Sequence, residues 1–267
     1  EDYQRGKDSR GIPYSYDFNL KNRTVYTVAG TYENILKDLD EAERLLSDID
    51  ETVSLEGTQS TDFWSRRAVH FNKYAVYATK ARVYQAMGNS AKAAEYAKKV
   101  TDHTASFKLA GRNSFESVRR FPATGELIFG LYANSFLDDF ANRFLKNVAG
   151  TDEGVQAHSR SVLDQLYAVT GAAAGAIDNR QAAFYRNVDT YQQFIRFASS
   201  SEEATAAATA QRGLTLIRLP EMYYIQAEAL YSSDPTAAIA ALNKVRESRG
   251  LNALTSSDLP TQVDFKA

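Results

Sequence analysis

The sequence predicts a mainly α fold of helical hairpins, carrying a long irregular insertion and one or two short strands. Three observations predict it. Apolar residues recur at spacings of three and four in three stretches, residues 28–47, 66–100 and 220–249. Alanine fills many inner positions of the second and third stretches, where only small side chains let two helices cross closely. The pattern then lapses over residues 133–213, where Gly150–Gly154 and the Gly171-Ala-Ala-Ala-Gly175 run leave room only for fragments of structure.

Each element follows in order. Residues 1–26 are polar and turn-rich, with Gly6, Gly11 and Pro13 breaking any periodicity. Thr27 can cap a helix in which Tyr32, Ile35, Leu36, Leu39, Ala42, Leu45 and Leu46 form one apolar stripe; Glu33, Lys37, Asp40, Glu43 and Arg44 solvate the other face. Residues 48–62 read as a polar loop. A second helix is expected from about Arg66 to Met87, ended by Gly88-Asn89, and a third starts at once from Ser90. Helices joined this tightly lie antiparallel. Asn113–Arg119 suits a short helix, and Glu126–Tyr132 (ELIFGLY) a strand.

In the insertion, residues 135–146, 159–169 and 178–185 suit helix fragments and Tyr191–Phe197 an extended segment. Ser199–Ala210 is a low-complexity Ser/Ala/Glu run, either an exposed helix or a loop. Order returns with Pro220 in a first helical turn, then Met222, Ile225, Ala229 and Leu230 as an apolar stripe. Asp234-Pro235 caps and opens the last helix, which Gly250 stops.

Two stretches repeat one another: Ala81-Arg-Val-Tyr84 with Gly88-Asn89, Ala93, Ala97 and Val100, and Ala227-Glu-Ala-Leu230 with Asp234, Ala238, Leu242 and Val245. Their spacing is similar to the tetratricopeptide repeat, with small residues where the paired helices cross. Arg82 and Glu228 occupy corresponding places and are expected to pair with neighbours and fix helix registry. Four pieces then carry a resemblance to a known family: Gly11-Ile-Pro-Tyr14 with Arg23-Thr-Val25; Ile35-Leu-Lys-Asp-Leu-Asp-Glu-Ala42; Asn72-Lys-Tyr-Ala75 running into Ala81-Arg-Val-Tyr84; and Leu216–Ala229 (LIRLPEMYYIQAEA) with Leu242-Asn-Lys-Val-Arg246 and Arg249-Gly250. The last is the most specific. Together they resemble the SusD/RagB-like surface lipoproteins of Bacteroidetes.

The resemblance implies one SusD-like domain over 1–267, as an incomplete piece or a short relative, since members usually run to about twice this length. It further implies non-catalytic capture of oligosaccharide or polysaccharide at the outer membrane's cell-surface face. Delivery would be to a SusC-like TonB-dependent transporter, and membrane attachment would be through an N-terminal lipid anchor that this chain does not carry. The chain begins in polar sequence without Met, as a processed or excised protein does.

Composition removes other classes. With 31 basic and 33 acidic residues and a net charge of −2, nothing electrostatic points to nucleic acid or to an anionic membrane. There is no cysteine, hence no disulfide, thiolate metal ligand or thiol nucleophile. His70, His103 and His158 share no metal-ligand spacing, and no phosphate loop, dinucleotide fingerprint or nucleophile elbow occurs, so neither metal nor cofactor is expected. Asp38-Leu-Asp40 and Asp48-Ile-Asp50 lack the glycine and closing glutamate of a calcium loop.

Sugar sites need an aromatic face against the C–H face of a pyranose and planar polar groups for its hydroxyls. The chain has 16 Tyr and 14 Phe but one Trp, and Trp64 with Arg66 beside it is the first candidate; the competing reading is a packing staple onto the following helix. Phe136, Tyr185, Arg186 and Tyr191 in the insertion are the second group, each of which, taken alone, reads first as a core residue. Tyr74, Tyr84, Tyr223 and Tyr224 are expected to pack between helices. Two further readings stand beside glycan capture: a helical-repeat scaffold that binds protein, and a glycoside hydrolase, which would need paired carboxylates beside the aromatic cluster.

Overall fold

The computed structural model describes residues 3–19, 23–49, 52–53, 66–111, 124–132, 157–167, 178–188, 191–194, 213–259 and 261. A one-turn helix α1 (Tyr3–Gly6) and a ribbon of β1 (Arg10–Pro13) and β2 (Val25–Thr27) precede α2 (Val28–Leu45). A 3-10 turn (Arg67–Val69) then leads to the hairpin α3 (Lys73–Ala86) and α4 (Ser90–Thr101). After a 3-10 turn at Thr124–Glu126 come β3 (Leu127–Tyr132), β4 (Ala157–Ser159), α5 (Arg160–Leu166), α6 (Asn179–Phe184), β5 (Tyr185–Val188), β6 (Tyr191–Phe194) and β7 (Gly213–Arg218). The hairpin α7 (Leu219–Leu230) and α8 (Pro235–Ser248) follows. The architecture is mainly α, as expected. Strands exceed the expected one or two, because the polar amino-terminal segment and the insertion both pair into short ribbons.

Cap chemistry sets the helix ends. Thr27 accepts from Gly30 N, Asn89 from Lys92 N and Asp234 from Ala237 N, with Pro235 at the first helical position. Gly88 and Gly250 take positive φ values of 76° and 84° at the ends of α3 and α8. The second helix does not start at Arg66. Asn72 caps it, its Oδ1 accepting from Ala75 N at 2.9 Å, and the six preceding residues turn away.

The two repeat-like hairpins, more than a hundred residues apart in sequence, are neighbours in space. α2 packs on α3, α3 on α4, α4 on α7 and α7 on α8. Ala75, Ala78, Ala81, Ala93 and Ala97 are fully buried along these crossings, in one core with Leu127, Ile128, Leu219, Met222 and Ile225. Each large apolar side chain so buried contributes roughly 1.5–3 kcal/mol, and the alanines let the axes approach. The expected pairing of Arg82 and Glu228 is present: Arg82 Nη2 donates to Glu221 Oε2 at 2.6 Å and to Leu216 O at 2.8 Å, and Gln85 Nε2 donates to Glu228.

The insertion leaves the helical array along β3 and returns along β7. The two pair antiparallel, Leu127 opposite Arg218 and Leu131 opposite Leu214, and so form its neck. Below the neck a buried ion cluster ties the insertion to the last hairpin. Glu126 has no exposed surface; its Oε1 accepts from Arg249 Nη2 (2.6 Å) and Ala110 N (2.8 Å), its Oε2 from Arg218 Nη2 (2.8 Å). The Arg249 carbonyl accepts from Asn179 N at 2.9 Å, so α6 starts from the same arginine.

Candidate functional site

The sequence candidates fall into two places. Trp64 and Phe136 lie outside the described residues. Arg66 stands at the outer end of β3, at the neck of the insertion. Asn72 places it there: its Nδ2 donates to the carbonyls of Ile128 on β3 (2.8 Å), Arg67 (3.1 Å) and His70 (3.2 Å), clamping the 66–71 segment against the strand. Arg66 itself has φ 52°, the one positive φ at a non-glycine among the described residues. Such a conformation costs about 1–2 kcal/mol and persists only where the surroundings impose it.

So held, the Arg66 guanidinium lies over the Tyr132 ring, 4.7 Å from its centroid. Tyr132 is 46% exposed and Phe71 beside the clamp is 44% exposed, its ring edge-on to Phe129 at 5.3 Å. Arg66 thus sets a cation on a half-exposed aromatic face, and the same 66–71 segment carries a second exposed ring in Phe71. Sequence reasoning found Arg66 and missed Tyr132, which it read only as the last residue of a strand.

Tyr185, Arg186 and Tyr191 fall together on the three-stranded sheet β4-β6-β5, but the register divides them. Tyr185 pairs with Phe194 and Val188 with Tyr191, three residues further along each strand, so Tyr185 and Tyr191 face opposite sides. Tyr185 and Phe194 meet at 5.4 Å and pack on Ala110, Ala183 and Phe184. Tyr167 (6.1 Å) and His158 (6.3 Å) stand edge-on to Tyr185. Burial, then the neighbouring Tyr185, push the Tyr167 hydroxyl up to about 12. The chain order of this cluster is fixed by Asp178, which caps α6 and accepts from Arg180 Nη2 at 2.6 Å. Tyr185 is thus partly a core residue, as its competing reading allowed, and Tyr191 is the half-buried side chain of the other face.

The helical tyrosines mostly pack as expected. Tyr74 stacks on His103 at 4.2 Å and Tyr84 on Tyr96 at 5.6 Å. Tyr224 departs: it is exposed, because Met222 points inward and two residues further on, about 200° round the helix, the side chain faces outward, while Tyr223 packs at the edge of the core. On α3 and α4, Lys80 is buried and ion-paired to Asp40 (2.6 Å) and Glu43, with Lys99 on Glu43 at 3.3 Å and over the Tyr96 ring at 4.2 Å. Among the described residues no cluster of three or more His, Asp or Glu could hold a metal.

The model of the SusD family matches residues 131–267, just over half of the chain. The chain belongs to the SusD family. Its solved structural relatives include a SusD superfamily protein of Bacteroides thetaiotaomicron (TM-score 0.66, 20% identity, 99% of this chain and 56% of that one). A SusD-like carbohydrate binding protein of Bacteroides vulgatus matches at TM-score 0.65 and 16% identity, over 98% of this chain and 52% of that one. Surface glycan-binding protein A of Bacteroides uniformis matches at TM-score 0.65 and 16% identity, over 96% and 58%. The chain spans a little over half the length of these relatives. No curated protein matches it.

Glu126, in the turn before β3, makes buried ion pairs with Arg218 of the RLPE turn and Arg249 of the closing Arg-Gly, while Glu221 of the same turn pairs with Arg82 of α3 at a partly exposed position.

Proposed function

We propose that this SusD-family chain binds glycan without catalysis, and that it does so at the neck of the insertion. The observation that carries the reading is the Arg66–Tyr132 pair: a guanidinium over a half-exposed ring, locked by Asn72, in the segment that also carries Trp64. Rigid aromatic surface suits the apolar face of a sugar ring, and a fixed guanidinium suits its hydroxyls. Two structural relatives bear carbohydrate or glycan binding in their names. The most deeply placed carboxylate, Glu126, is consumed by two arginines. The helices and insertion act as one SusD-like domain over 1–267, closed by the packing of α4 on α7. In this reading the protein works at the cell-surface face of the outer membrane through a lipid anchor, as partner of a SusC-like TonB-dependent transporter. No helix among the described residues is long and apolar enough to cross a membrane.

A protein-docking scaffold is the second reading, favoured by Leu131 and Leu214, paired across the neck and both exposed. A screen against plant, mucin and microbial polysaccharides decides between them, run with wild type, Tyr132→Ala and Trp64→Ala. Binding that Tyr132→Ala abolishes in a folded protein supports capture at the neck. A folded wild type that binds no glycan moves the function to protein docking.

A further inference from the structure

The insertion sheet carries a second constellation, away from the neck. His158 on β4 and Asn187 on β5 both pair directly with Gln192 on the central strand β6, so the three side chains stand in one row on one face. Two strand spacings make the row ~10 Å wide. Tyr185 and Phe194 form the next row on that face, since they pair two residues further along. His158 and Asn187 are exposed at the edges, and Gln192 is 8% exposed between them.

The hydrogen bonding of the row is incomplete. Gln192 Nε2 donates to Asn187 Oδ1 at 3.0 Å. Gln192 Oε1 is buried and has no hydrogen-bond partner among the described residues. Buried acceptors are almost always satisfied, and one that is not calls for a donor from elsewhere. Because Asn187 Oδ1 is taken, its two amide hydrogens point away from Gln192.

We infer that the row His158–Gln192–Asn187, with the Tyr185 ring beside it, is a second saccharide subsite that takes a pair of neighbouring hydroxyls. One hydroxyl donates to Gln192 Oε1 as the exposed side chains of His158 and Asn187 part. Its neighbour accepts from Asn187 Nδ2, and the His158 ring closes the far side. The inference rests on the glycan-binding reading above and deepens it by giving the ligand a second point of contact.

The test is isothermal titration of the full chain with five probes: maltohexaose, cellohexaose, xylohexaose, mannohexaose and laminarihexaose. Wild type is compared with Asn187→Ala and Gln192→Met, and side-chain amide signals are followed by NMR. The subsite predicts that both variants weaken the bound hexaose roughly tenfold or more. It also predicts that the Gln192 and Asn187 amide signals shift on titration. Gln192→Met keeps the shape and removes the unmet acceptor, so its melting temperature stays level or rises while binding falls; a merely structural role moves neither signal nor affinity. Variants that bind within twofold of wild type, with unmoved amides, overturn the subsite and leave capture at the neck standing. A wild type that binds none of the five, and no polysaccharide in the screen above, overturns the capture reading and the subsite with it.

Discussion

Replacing Glu126 by alanine tests whether the buried ion cluster holds the insertion to the last hairpin. The substitution leaves Arg249, whose side chain is 3% exposed, without its carboxylate, and strips Arg218 and the Ala110 amide of their acceptor. Removing one partner of a buried ion pair costs about 3–5 kcal/mol, because the remaining charge stays desolvated. The orphaned amide adds about 1 kcal/mol, less whatever relaxation recovers. Against a total stability of roughly 5–15 kcal/mol, a loss near 4 kcal/mol lowers the melting temperature by roughly 10 °C. Calorimetry and urea titration read the loss directly. The cycle with Arg249→Met separates the pair from its parts: the double variant recovers much of what Glu126→Ala loses, since no unpaired charge remains at position 249. A Glu126→Ala variant within about 1 kcal/mol of wild type refutes the reasoning, as does a cycle with no coupling.

Other outcomes follow from single features. Arg66→Gly is more stable than Arg66→Ala by about 1 kcal/mol, because glycine accepts the positive φ at position 66 while both variants lose the contact to Tyr132; thermal melts rank the two. Ala97→Leu overpacks the crossing of the central helices and costs about 1–3 kcal/mol by urea titration, with the fold retained by circular dichroism. Burial pulls the Glu43 carboxyl upward, but hydrogen bonds and charge from Lys80 and Lys99 outweigh it and hold the group below its ordinary 4.5. A carboxylate lowered on folding stabilises fully above the unfolded value, and that stabilisation disappears as pH falls through the folded one. Urea midpoints between pH 7 and 3 therefore drop more steeply for wild type than for Glu43→Gln.

The hairpins were legible because their signals are local. Thr27, Asn89 and Asp234 announce helix starts, Gly88 and Gly250 announce ends, and the alanines mark the crossings; each acts within a few residues of itself. The start of α3 was misplaced because Asn72 caps the helix and at the same time clamps the 66–71 segment onto β3. That clamp reaches Ile128, 56 residues away, and no periodicity reports it.

The candidate site failed to be legible for a related reason. Tyr185 and Tyr191 are six residues apart, an even spacing that would put both on one face of a continuous strand. A hairpin intervenes, Val188 pairs with Tyr191, and the direction reversal sends the second tyrosine to the opposite face. The same reversal aligns Asn187 with Gln192 and brings His158, more than thirty residues upstream, into their row. A ligand-binding row of this kind has its chemistry in side-chain type and its existence in register. Register depends on the turn and on what packs against Tyr185 and Phe194 in the next row, here Ala110, Ala183 and Phe184. The helical scaffold could therefore be read along the chain, since its caps, stops and small crossing residues each carry a local signal. The binding row could not, since none of its three residues is distinguished until the strands are paired.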